Sequence, residues 1–100
     1  MSNTQNVSIT KDRLKFTEPP MHNVVFLNDD VTTVQFVEYV LMHHFGKSKK
    51  QAEQIVDQIN NADRAIVGTY YLDIAKTKAN LVIELARENN FPFQVITEEV

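Results

Sequence analysis

The first ordered pattern along the chain is an apolar run. Asn23 to Leu27, nearly continuous through Val24-Val25-Phe26-Leu27, predicts a strand. Before it, Met1 to about Pro20 shows no period. Ser, Thr, Asn and Gln dominate up to Lys11, and Pro19-Pro20 closes the stretch, so residues 1–20 read as a flexible tail. After the strand comes a short polar loop, Asn28-Asp29-Asp30. Val34, Val37, Leu41 and Phe45 then recur at helical spacing, with Val40 widening the stripe. Thr32 is placed to cap this helix, and Gln35 three residues on completes a capping-box pattern. Gly46 supplies the left-handed residue that a helix stop prefers.

Ser48 and Gln51 repeat the capping pattern. Ala52, Ile55, Val56 and Ile59 follow at i, i+3, i+4 and i+7, a second amphipathic helix. About three residues join the two helices, which makes them neighbours in space. Asn60-Asn61-Ala62-Asp63-Arg64 reads as a polar turn, and Ala65 to Tyr70 as a second strand centred on Ile66 and Val67. A third helix runs from Leu72 to Asn89. Ala75, Ala79, Val82 and Ala86 give it a small-residue stripe flanked by Ile74, Leu81 and Leu85, suited to close packing on a sheet. Its start is weakly capped, since Tyr71 has no short side-chain acceptor. Asn89-Asn90 stops it, Phe91-Pro92 turns the chain, and Phe93 to Thr97 is the third strand. The order β-α-α-β-α-β predicts an α+β fold. It would be a two-layer sandwich, a three-stranded antiparallel sheet packed on three helices, in one core domain over residues 21–100.

Composition narrows the function classes. One hundred residues, 43% of them hydrophobic, suit one globular domain. The absence of Cys excludes a disulfide framework and thiolate chemistry, and is compatible with the cytoplasm. No apolar run is long enough to span a bilayer, and the N-terminus lacks a basic-then-apolar secretory pattern. The expectation is a cytoplasmic chain that engages neither membrane nor nucleic acid, since a net charge of −3 opposes a broad phosphate-binding surface. The one basic cluster, Lys47-Ser48-Lys49-Lys50, reads as a solvated helix start.

Enzyme signatures are missing. There is no glycine-rich phosphate loop, no Gly-x-Ser-x-Gly and no His-Glu-x-x-His. His43 and His44 point about 100° apart on a helix and do not chelate one metal together. Glu53 and Asp57 are explained by an exposed acidic helix face. No nucleophile is paired with a base, so the expectation is a binding protein without catalytic residues, metal or cofactor. Within that class the Asn28-Asp29-Asp30 loop stands out. An amide beside a carboxylate at the mouth of a strand-to-helix turn suits capture of a small cation. Plain turn chemistry explains it too. A Mg²⁺-holding loop of the receiver-domain kind fits worse, because the next strand ends Val67-Gly68-Thr69 without a phosphoacceptor Asp.

A larger pattern changes the weight of that loop. Pro19-Pro20 is followed by Val24-Val25-Phe26-Leu27-Asn28-Asp29-Asp30-x-Thr32 and by Phe36-Val37. Gln51-Ala52, Ala65-Ile66-Val67-Gly68, Ala75-x-Thr77-Lys78, Ala86-Arg87-Glu88-Asn89 and Pro92 continue it at consistent spacing. From Pro19 to Thr97 the chain resembles the ClpS family, the bacterial adaptors of the Clp protease. The resemblance implies a monomeric adaptor for N-degrons, substrates with a free α-amino group and a bulky first residue. It implies delivery of these to the N-terminal domain of a ClpA- or ClpC-like AAA+ unfoldase. By position, Asn28, Asp29 and Asn60 would meet the α-ammonium, and Asp30 and Thr32 would support the loop. Val34, Val56, Ile59 and Phe93 would line the side-chain pocket. Asp73 and Lys78 would face the unfoldase, and the tail would engage it during delivery.

The chain also departs from the family. Asn60 stands where a His is usual; it keeps an acceptor but does not titrate near neutrality. Val34 and Val56 stand where Met is frequent, and Phe93 replaces a usual aliphatic residue. These changes fall in the ligand site while the scaffold matches. They imply shifted specificity, or an alternative role as an unfoldase N-domain regulator with weakened N-degron binding. A more remote reading is a ribosome-associated domain, since the C-terminal domain of the ribosomal stalk protein is similarly compact. The acidic loop and the lack of a Lys-rich helix face oppose it.

Overall fold

The computed structural model describes residues 19–100; the expected tail lies outside the described residues, apart from Pro19 and Pro20. Strand β1 spans Met21–Leu27, helix α1 Val34–His44, α2 Lys49–Ala62, β2 Arg64–Tyr71, α3 Leu72–Glu88 and β3 Val95–Glu99. The element order is the one the hydrophobic pattern predicts. The sheet order is β2-β1-β3, with both pairings antiparallel. The central position of β1 explains its unbroken apolar run. Val24 and Phe26 enter the core against the helices, while Val25 is flanked across the sheet by Ile66 and Ile96.

All three helices contribute to one core. Val37, Val40 and Leu41 come from α1, Ala52, Val56 and Ile59 from α2, and Ala75, Ala79, Val82 and Ala86 from α3. The small residues of α3 let its backbone approach the sheet. Phe26 fills the space between elements, edge-on to Phe45 and Phe93 at centroid distances of 5.5 and 5.0 Å. Such pairs add about 0.5–1.5 kcal/mol to the burial of their area.

Helix ends are where local chemistry decides. Ser48 and Gln51 form the full reciprocal capping box, and Gly46 takes its left-handed conformation at φ 65°. Tyr71 makes no side-chain cap bond, as its shape requires. Thr32 does not cap α1. Thr33 is the cap, its hydroxyl accepting from the Phe36 N–H at 3.2 Å, because the Thr32 hydroxyl is already bound to Asp29. The polar stretch after Ile59 is not a turn. Helix α2 continues through Asn60, Asn61 and Ala62, and Asp63 alone reverses the chain in the left-handed region at φ 66°.

Two further expectations shift. Phe93 precedes β3, held in a connecting segment whose Phe91 and Phe93 carbonyls both accept from Arg87 Nη1, at 2.8 and 3.0 Å. Ile74 and Leu81 do not pack on the sheet but stand exposed on the outer side of α3, and Ile66 is half exposed on β2. Ile83 packs against the core in their place. Among the described residues no helix is long and apolar enough to cross a membrane.

Candidate functional site

The fold brings the end of β1, the start of α1, the last turns of α2 and the segment before β3 to one cleft. Its lining is Leu27, Asn28, Asp29, Thr32, Val34, Val37, Val56, Ile59, Asn60 and Phe93. It has a polar side from the loop and Asn60, and an apolar side from the helices and Phe93. Val37, Val56, Ile59 and Phe93 are each at most 7% exposed and form a closed floor, whereas Val34 is 46% exposed at the rim. The cavity measures about 50 Å³. One water needs about 10–15 Å³ by such a measure. The enclosed space is thus that of a few water molecules, with Val34 at its exposed edge.

Asp29 organises the polar side. The N–H groups of Val31 and Thr32 donate to Oδ1 at 2.8 and 2.7 Å, and the Thr32 hydroxyl donates to Oδ2 at 2.7 Å. This is the local side-chain-to-backbone bonding that Asp favours in turns. Oδ1 is thereby saturated, and one lone pair of Oδ2 remains. Burial pushes the Asp29 carboxyl up. The hydrogen bonds from the Thr32 backbone and hydroxyl and from Val31, with the charge of Arg87, more than offset it and hold the group below its ordinary value. Asp29 is thus a fixed negative charge at neutral pH.

Asn28 is tied at its backbone and its side chain. Its N–H donates to the Asp63 carbonyl at 2.9 Å, and its Nδ2 donates to Asp63 Oδ1 at a longer 3.4 Å. The amide oxygen is the acceptor that this bond does not use. Asn60 is exposed in the last turn of α2 and supplies a second amide. Asp29 is the one charged side chain among the lining residues. One carboxylate and two amides at the edge of an apolar floor suit a cationic head joined to an apolar side chain. Among the described residues no group of three or more His, Asp or Glu side chains is placed to hold a metal.

All the expected pocket residues (Val34, Val56, Ile59 and Phe93) lie on this lining, as do Asn28, Asp29, Asn60 and Thr32. Asp30 is exposed and outside it. Asp73 and Lys78 lie on α3, in a separate shallow groove with Ile74, Thr77 and Leu81. Lys78 is half-buried there. Its Nζ donates to the His44 carbonyl at 3.2 Å and stands 5.4 and 5.3 Å from the Phe45 and Tyr70 ring centroids. Sequence reasoning missed Leu27 and Val37 as lining residues. Val37 carries a readable signal, three residues after Val34 on the same stripe. Asp63 carries none, because its partner Asn28 is 35 residues away.

Comparisons with known proteins bear on the family and the fold. Residues 17–96 match the family model described as ATP-dependent Clp protease adaptor protein ClpS. The ClpS adapter protein of Treponema denticola is 43% identical over 86% of this chain and 85% of the relative. That of Helicobacter hepaticus is 40% identical over 83% and 84% respectively. A solved structure of Agrobacterium tumefaciens ClpS2 bound to L-phenylalaninamide superposes with a TM-score of 0.79 at 33% identity, covering 82% of this chain and 99% of that one.

Proposed function

The chain belongs to the ClpS family of Clp protease adaptors, and from that premise we propose that its cleft captures the free α-amino group and first side chain of an N-degron. The bound substrate passes to the N-terminal domain of a ClpA- or ClpC-like AAA+ unfoldase in the cytoplasm, with the chain acting as a monomer. The observation that carries this reading is the union of both halves in one cleft. Asn28, Asp29 and Asn60 form the polar edge, and Val34, Val37, Val56, Ile59 and Phe93 the apolar wall.

The chemistry is additive. An α-ammonium brings three donors. The free lone pair of Asp29 Oδ2 and the amide oxygens of Asn28 and Asn60 give it three acceptors. Charge-assisted hydrogen bonds contribute about 1.5–3 kcal/mol each. Burying a Leu or Phe side chain contributes about 1.5–3 kcal/mol. Neither term alone overcomes the entropy lost on association. An internal Leu lacks the ammonium, and an N-terminal Ala lacks the side chain, so both are rejected. That the Agrobacterium relative was solved with an amino-acid amide supports the same ligand chemistry here.

On α3, the exposed Asp73, Ile74 and Leu81 offer an apolar groove with an acidic edge for the unfoldase. In this reading the segment before the core reaches the unfoldase as well. A peptide series beginning with Leu, Phe, Tyr, Trp, Ile, Met or Ala, titrated alongside the isolated unfoldase N-domain, tests the whole reading. Bulky first residues should bind and Ala should not. Unfoldase binding without any peptide binding would leave the chain a regulator of the unfoldase instead.

A further inference from the structure

We propose that Asp63 is a positioning residue for amine recognition: its carboxylate fixes the side-chain amide of Asn28 so that the oxygen, not the NH₂, is presented to the ligand. The inference rests on the reading of the cleft as an α-ammonium site. Three observations on one residue carry it. Asp63 ends α2 in the left-handed region, at φ 66° and ψ −3°. Its backbone is fixed on both sides, the N–H donating to Ile59 O and the carbonyl accepting from the Asn28 N–H, both at 2.9 Å. Its Oδ1 accepts from Asn28 Nδ2 at 3.4 Å.

An Asn amide has two faces of opposite polarity, and an unrestrained Asn turns either toward a ligand. Turned the wrong way, Asn28 would aim two N–H donors at an ammonium. A carboxylate accepts and does not donate, so Asp63 holds the NH₂ on its own side. The ligand then meets an acceptor already oriented, and less rotamer freedom is lost on binding. The left-handed position itself calls for Gly or Asn. Asp is tolerated there, and here its side chain also has a partner across the cleft edge.

That backbone preference makes a clean test. Asp63→Gly removes the carboxylate while suiting the left-handed position, so backbone strain cannot account for a loss. Asp63→Asn keeps an acceptor for Asn28 but removes the charge. Binding of a Leu-initiated peptide with a free amine is measured for both variants at low and high salt. Asp63→Gly should weaken it about three- to tenfold, and Asp63→Asn, whose amide can still present its oxygen to Asn28, should weaken it less. Unchanged affinity in Asp63→Gly overturns the proposal. So does an equal, salt-sensitive loss in both variants, because the carboxylate would then act by charge alone. NMR of the ligand-free protein gives a second readout. The Asn28 side-chain amide protons should shift in Asp63→Gly and hold near their original positions in Asp63→Asn; no shift in either variant overturns the proposal. If the wild type binds free and N-acetylated peptides alike, the amine reading fails, and the NMR arm still decides the orientation of Asn28.

Discussion

Asp29 both builds the loop and charges it. Three hydrogen bonds from Val31 and Thr32 saturate its Oδ1, engage its Oδ2 once and hold its carboxyl below the ordinary value. A carboxylate with a depressed folded-state pKa contributes stability above the unfolded value, about 3.9 for Asp. That contribution is lost as pH falls through the lower, folded value. The ligand amine loses its charge around pH 7.7–8.0. Asn60 has no titration of its own. Peptide affinity should therefore be level from about pH 5 to 7, falling in strong acid and again above about 8. Asn60→His should add a step near pH 6.5, with weaker binding on the acid side where imidazolium repels the ammonium. Calorimetric titration across this range checks both curves. A step near 6.5 in the wild type would contradict the role given to Asn60.

Between residues and the whole fold, the elements show which signals a sequence carries. Helix interiors were legible because burial repeats at 3.6 residues: the stripe of Ala75, Ala79, Val82 and Ala86 is the buried face of α3. Boundaries were less legible where two local bonds compete. The capping-box pattern with Gln35 favours Thr32, but Asp29 engages the Thr32 hydroxyl and Thr33 is the cap. Asn60-Asn61 reads as a turn by composition, yet α2 continues through Ala62 and the left-handed stop falls at Asp63. Lys78 was legible as a surface residue and is partly a structural one. Its ammonium serves the C-terminal carbonyl of α1 and faces two aromatic rings, a placement favoured by the helix dipole and by cation–π attraction. Lys78→Ala should cost about 1–2 kcal/mol of stability, read as a lower denaturant midpoint with unchanged slope. A midpoint equal to that of the wild type would leave Lys78 free for surface contacts alone.

At the scale of the molecule, the two-layer fold converts distant sequence into one cleft. The loop after β1, the last turns of α2 and the segment before β3 meet although about thirty residues separate each from the next. The motif around Asn28-Asp29 and the apolar periodicity made the elements and most of the lining legible. The Asn28–Asp63 pairing and the grip of Arg87 on the Phe93 segment were not, because both are long-range contacts without a local pattern. The same geometry separates the cleft from the α3 groove, so under the proposed function ligand capture and unfoldase docking would use different surfaces. Under the proposed function, capture depends on a free amine meeting Asn28, Asp29 and Asn60 while a side chain meets the floor. The measurement that tests this most directly is the dissociation constant of one Leu-initiated peptide with its α-amine free and with it acetylated, at pH 7 and fixed salt. Loss of two or more charge-assisted bonds should weaken the acetylated peptide by at least about a hundredfold. Equal affinity for the two peptides would contradict it.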